Sequence, residues 1–301
     1  MRVTTTMAVR NLVRNLDRSY GRMVKFQEQL ASGSRLNKLS DDPAAVERSL
    51  ALRTELRNME QYQKNIDDGT GWLELSEAAL AELETLFVEA RGLAVQGATD
   101  TYNSQQRRVI ADQIDQFIEH AVSLSESRYR GRYIFGGTQT GEPPYAGVRS
   151  GEGKLLDLSA TGDTSGSIER EVADGILQQV NVPGGDVFEG SLNAFDVLID
   201  LRDALAADEV KNVRASLTQL ADMRERISSV RGVIGARVNR MELTRNVLDR
   251  MSIEMASILS EDEGVDLTAT IVNLQQEQDV FRAALASGAS VIPQSLMDFI
   301  G

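Results

Sequence analysis

The chain contains no cysteine. It therefore forms no disulfide, holds no thiolate-bound metal and has no cysteine nucleophile. Histidine occurs once, at His120, on the polar side of a helical pattern, which is the position of a solvated side chain rather than a ligand or catalyst. Aromatic residues make up only 5% of the chain and tryptophan occurs once, which argues against one deep globular core. No stretch is long and apolar enough to span a bilayer. Residues 1–30 carry charges throughout and lack the apolar run of a secretory signal peptide. With a net charge of -13 and no basic face, the sequence has no electrostatic footprint for nucleic acid. Taken alone, these absences describe a cytoplasmic chain without redox, metal or nucleic-acid chemistry.

What is present is helical periodicity. The 301 residues are 42% hydrophobic and 26% charged, and Leu, Ala, Glu, Gln and Arg dominate, a mixture that favours long helices packed in bundles. Near the N-terminus, Val9, Leu12, Leu16, Met23, Phe26 and Leu30 recur in steps of three, four and seven. Ser19 is the one polar gap at a seam position. This is a heptad, the mark of a helix packing along a narrow stripe against another helix. Gly33 can end that helix in a left-handed conformation. Asp42 followed by Pro43 supplies a carboxylate cap and a proline at the first helical position of the next.

From Pro43 to about Val95 the pattern stays helical. The weakest point is Asp67-Asp68-Gly69-Thr70-Gly71, where each glycine costs roughly 1 kcal/mol relative to alanine and favours a kink. Beyond it Leu73, Leu80, Leu83, Phe87, Ala90 and Ala94 form one stripe. After a turn at 97–103, Ser104 is placed to cap a helix with Ile110, Ile114, Phe117, Ala121 and Leu124 on one face. Tyr133, Ile134 and Phe135 have strand character and precede the Gly136-Gly137 turn. Residues 136–190 hold twelve of the 24 glycines and three of the five prolines, with short apolar runs between them. This composition predicts a small β-rich insertion. Helix resumes near Asn193 with Phe195, Leu198, Leu201 and Leu205. A longer stripe follows through Val213, Leu217, Leu220, Ile227, Ile234, Val238, Met241, Leu248 and Met255. After a break at 260–264, Leu267, Ile271, Leu274, Phe281 and Leu285 form a second terminal heptad with Gln278 as its polar gap.

Several of these stretches also resemble a known family. Leu30-Ala-Ser-Gly-Ser-Arg-Leu-Asn37 and Ser40-Asp41-Asp42-Pro43 are similar to the N-terminal signature of the flagellin superfamily, with Gly33, Arg35, Asn37, Asp41, Asp42 and Pro43 as its motif positions. Gly235-Ala-Arg-Val-Asn239-Arg240 resembles the Gly-Ala-x-x-Asn-Arg segment of flagellins, in which Gly235 and Ala236 would admit a close neighbouring helix. The opening Met1-Arg-Val-Thr-Thr5, the Ser-Asp-Asp-Pro variant, Asn273-Leu-Gln-Gln-Glu-Gln278 and the closing 295–301 resemble the hook-associated branch more than flagellin itself. Gly92 stands where the family often has a glutamate.

The resemblance and the pattern lead to one expected architecture. The fold is mainly α: a long antiparallel helical bundle or coiled coil built from paired N- and C-terminal regions, with a small β-rich domain inserted in the middle. The expected segments are a terminal coiled-coil helix at 1–40, the first half of a helical core at 41–137, the outward insertion at 138–190, the second half of the core at 191–259, and the partner coiled-coil helix at 260–301. The resemblance implies a structural, non-enzymatic adaptor at the hook–filament junction of the bacterial flagellum, without cofactor or metal. It implies export without a cleaved signal peptide to an extracellular location. Its implied partners are a hook-side protein, flagellin, copies of itself in a ring or helical layer, and an export chaperone at the C-terminal helix, with neither nucleic acid nor membrane among them. A small flagellin that polymerises by itself is the alternative. An enzyme in a helical shell has little support, because the Asp41-Asp42 pair is better explained by capping than by acid–base chemistry.

Overall fold

The structure is a computed structural model, and it describes residues 5–151, 153–190 and 192–291. The opening 1–4 and the closing 292–301 lie outside the described residues, and of Val9 only the backbone is described. The described part is mainly helical, with small antiparallel strand pairs. Contacts divide the chain into two compact units, Met1–Asn58 with Arg250–Gly301, and Met59–Asp249.

The first unit contains α1 (Thr5–Ser32), the start of α2 (Pro43–Gly97), the end of α6 (Val210–Glu263) and α7 (Leu267–Val291). Gly33 ends α1 at φ +69°, the left-handed region in which a side chain would be strained. Asp42 caps α2, its Oδ1 accepting from the Ala45 backbone N–H at 3.1 Å. Asp266 caps α7 in the same way, accepting from Ala269 at 3.0 Å. The pairing of α1 and α7 is antiparallel. Leu12 lies at Gly288, Ser19 and Arg22 reach Glu277, and Ser34 bridges Gly264.

The second unit packs the rest of α2 and α6 with α3 (Ser104–Ser125) and α5 (Ala194–Ala206). Leu73, Leu80, Leu83, Phe87, Ala90 and Ala94 of α2 are buried, as are Val213, Leu220, Ile227, Ile234, Met241 and Leu248 of α6. Arg231 of α6 bonds Glu77 and Glu84 of α2, and Asp249 accepts from Gln63 at 2.6 Å. Early residues of the unit thus meet late ones, in nested order.

Three sequence expectations change here. The α2 helix runs through Gly69 and Gly71 without a break. Those glycines admit neighbours: a methyl on Gly69 would lie 2.7 Å from Val180 Cγ1, and one on Gly71 would lie 2.6 Å from Tyr129 Oη. The cap of α3 is Asn103, one residue before Ser104, in a capping box with Gln106. The buried stripe of α3 passes through Ile118, in the series Arg107, Ala111, Ile114, Ile118, Ala121 and Ser125, while Phe117 stays half-buried.

The β region consists of β1 (Arg128–Tyr129) with β2 (Arg132–Tyr133), β3 (Tyr145–Arg149) with β4 (Leu155–Ala160), and β5 (Glu169–Ala173) with β6 (Ile176–Gln179), all antiparallel. Strand β2 ends at Tyr133, and Ile134 and Phe135 continue as buried non-strand residues. Phe135, Tyr145 and Phe188 of the short helix α4 (Gly184–Phe188) meet Phe195 of α5 in one aromatic cluster with centroid spacings of 5.2–5.4 Å. Asn181 is fully buried. It accepts from the Ile168 N–H at 2.8 Å and donates to the Gly166 carbonyl at 2.9 Å, which ties the loops before β5 to the segment after β6.

Candidate assembly site in the paired terminal helices

The α1 stripe packs largely as its heptad predicts. Leu12, Leu16, Met23, Phe26 and Leu30 are half-buried, and the polar gap Ser19 is buried. On α7 the residues turned inward are Thr270, Leu274, Glu277, Phe281, Ala284 and Gly288, spaced 4-3-4-3-4. The sequence-read stripe of Leu267, Ile271, Leu274, Phe281 and Leu285 is a second heptad that overlaps the first. Leu274 and Phe281 belong to both. Leu267, Ile271 and Leu285 are 53%, 46% and 50% exposed. Thus α7 carries two seams one residue step apart, one turned toward α1 and one turned outward. Val272 and Val280 are also exposed on α7, off that seam, and α1 adds exposed Val13 and Tyr20. Tyr20 meets Phe281 at 6.2 Å between ring centroids.

The inner contact has a polar centre. Arg22 donates to both oxygens of Glu277, from Nε at 2.7 Å and Nη2 at 3.0 Å, and Ser19 Oγ donates to Oε2 at 2.9 Å. The Arg22 hydrogen bond first, and the Ser19 bond after it, hold the Glu277 carboxyl below the ordinary glutamate range despite partial desolvation. The residues missed by sequence reasoning are therefore Thr270, Glu277, Ala284 and Gly288. Small and polar residues carry no apolar signal, but their 4-3 spacing opposite a polar gap at Ser19 is visible once sought.

The linker between α1 and α2 is pinned by charge. Asp41 pairs with Lys25 at 2.8 Å and accepts from the Asn37 and Lys38 N–H groups. The Lys25 contact chiefly, with those backbone bonds, lowers the Asp41 pKa. Arg35 donates to the Asp262 carbonyl at 2.9 Å and lies 3.7 Å from Asp42. Arg48 and Arg53 reach Asp262 and Glu263. The motif positions Gly33, Arg35, Asn37, Asp41, Asp42 and Pro43 thus come together at one joint. Gly235, Asn239 and Arg240 do not join them. They are exposed on α6, and Gly235 meets nothing within 4 Å among the described residues, where the sequence predicts a close helix approach at Gly235-Ala236.

Among the described residues no group of His, Asp and Glu is placed to hold a metal ion. His120 is exposed and 2.8 Å from Glu82. Among the described residues no helix is long and apolar enough to cross a membrane.

Two terminal heptad helices paired antiparallel, a capped Ser-Asp-Asp-Pro joint and a helical unit with small hairpins define a recognisable architecture. Residues 3–140 match the bacterial flagellin N-terminal helical region. This stretch therefore carries a flagellin N-terminal region, and the chain as a whole is similar to flagellins and hook-associated proteins. It is similar to a flagellin of Halalkalibacterium halodurans, 23% identical over 305 residues and covering all of both chains. It is also similar to flagellar hook-associated protein 3 of Escherichia coli, 23% identical over 303 residues, covering 94% of this chain and 95% of that one. In fold it resembles the flagellar hook-associated protein 3 of Legionella pneumophila, with a TM-score of 0.62, 14% identity, and coverage of 70% of this chain and 98% of that one. Flagellins and hook-associated proteins are structural proteins, not enzymes.

Proposed function

We propose that the protein is a hook–filament junction adaptor of the bacterial flagellum, linking a hook-side protein to flagellin and packing beside copies of itself in a ring or helical layer. The observation that carries this reading is the doubled seam of α7: one heptad faces α1, and a second is left uncovered and apolar. A two-helix pair with an open apolar side gains stability only when another helix covers it. The hook-associated relative favours the junction over the filament itself. The full-length likeness to a flagellin supports the second reading, a small flagellin that polymerises alone.

The chain is proposed to leave the cell without a cleaved signal peptide and to act outside it. Before export, a helical chaperone covers the outer seam of α7 as a helix laid in a groove. After export, neighbouring subunits take its place, so chaperone binding and assembly exclude each other. Phe281 belongs to both seams and is the sharpest probe. Phe281→Ala is expected to weaken chaperone binding and filament attachment together, while the melting temperature of the second unit is retained. Unchanged chaperone affinity in calorimetry with failed attachment would refute the shared surface. The junction reading itself is tested by electron microscopy of the pure chain, which should show no long filaments. A strain lacking the gene should shed flagellin into the medium. Long filaments from the protein alone would favour the flagellin reading.

A further inference from the structure

We infer that Ser19, Arg22 and Glu277 form a register key that fixes which turns of α1 and α7 face each other. Apolar heptads specify a stripe but not its alignment, because sliding one helix by seven residues brings leucine-type positions opposite each other again. The α1 seam is of this kind: Leu12, Leu16, Met23, Phe26 and Leu30 are near-equivalent. The polar cluster is not. In the observed pairing Glu277 receives Ser19 Oγ at 2.9 Å and a two-point contact from Arg22 at 2.7 and 3.0 Å. A slip of one heptad in one direction would replace Ser19 and Arg22 by Leu12 and Asn15, and a slip in the other by Phe26 and Gln29. Neither pair offers a cation. Glu277 would then lie half-buried against a leucine or phenylalanine without its partner, which is costly for a carboxylate. Gly288 reinforces the same alignment, since a methyl there would lie 2.5 Å from Leu12 Cδ2. The key discriminates against slipped pairings more than it strengthens the correct one, as single polar seam positions do in coiled coils. This inference holds whichever flagellar role the chain fills.

The absence of native cysteine makes the test direct. Two reporters are built in the full chain. Leu12→Cys with Gly288→Cys reads the observed register, and Leu12→Cys with Phe281→Cys reads the alignment slipped by one heptad. Mild oxidation of the dilute chain yields intramolecular products that are counted on a non-reducing gel. With the key intact, the first product should exceed the second by about tenfold or more. In a Ser19→Leu/Glu277→Leu background, where the seam is wholly apolar, the two should come within about threefold. The charge exchange Arg22→Glu/Glu277→Arg should restore the preference. The proposal is overturned if the keyless chain keeps its preference. Disappearance of both products in that background also overturns it, because the cluster would then supply stability and not register.

Discussion

Arg202 is the residue on which the second unit can be tested most sharply. Its side chain is 4% exposed, yet it carries a full charge in the middle of the apolar face of α5. Nη1 donates to Asp115 of α3 at 2.9 Å and to the Leu155 carbonyl of β4 at 2.6 Å, while Nε donates to Asp203 at 2.8 Å. Removing the guanidinium leaves Asp115, itself 15% exposed, without its buried partner, and leaves a carbonyl of the hairpin unmet. Breaking a buried pair from one side typically costs roughly 3–5 kcal/mol, and an orphaned carbonyl about 1–3 kcal/mol. Partial water access to Asp115 and the apolar body of methionine recover some of this. Arg202→Met should therefore lose about 3 kcal/mol. The assay is urea unfolding followed by the fluorescence of Trp72, the sole tryptophan, which is buried in the same unit. The double variant Arg202→Met/Asp115→Leu removes both charges and should recover much of the loss, with a coupling of about 1–3 kcal/mol. A single variant within about 1 kcal/mol of the parent, or a double variant as unstable as the sum of both singles, would refute the account of Arg202 as a paired charge joining α3, α5 and β4.

Acid should loosen the α1–α2 joint at Asp41. Its folded pKa is lowered below the ordinary aspartate value, so its contribution is complete above about pH 4 and is lost as pH falls through the folded value. Amide protection of Asn37 and Lys38 by NMR should fall in that acid range, and Asp41→Asn should abolish the pH dependence. Two glycines of α2 should respond in opposite directions to alanine. At Gly92, which meets nothing within 4 Å, Gly92→Ala should stabilise by about 0.5–1 kcal/mol through helix propensity. At Gly71 the methyl meets the Tyr129 ring packed on Trp72, and overpacking of about 1–3 kcal/mol should exceed that gain, so Gly71→Ala lowers the unfolding midpoint.

Much of the fold is legible because long amphipathic helices repeat one signal many times. The α6 stripe from Val213 to Leu248 and the α2 stripe from Leu73 to Ala94 need only spacing to be found. The Gly33 and Asp42 boundaries need only capping chemistry. What escaped has a physical reason in each case. Gly69 and Gly71 look like helix breakers because propensity is local, whereas their use depends on Val180 and Tyr129, remote in sequence. On α7 the larger residues of the outer heptad outweigh Thr270, Ala284 and Gly288, so the seam facing α1 is hidden behind the louder one. Nothing local announces that Arg202 will find Asp115 or that Asn181 will organise two loops.

The nested pairing of the chain also sets a timetable. Ser19 and Glu277 are separated by 258 residues. At a synthesis rate of about 5–20 residues per second, tens of seconds pass between the appearance of α1 and that of the residue that fixes its alignment. Throughout that delay Leu12, Leu16, Met23, Phe26 and Leu30 have no α7 to cover them, while the shorter circuit between Asp115 and Arg202 has already had time to close. A nascent chain of this design is thus completed from the inside outward, and its earliest helix spends the longest time unattended.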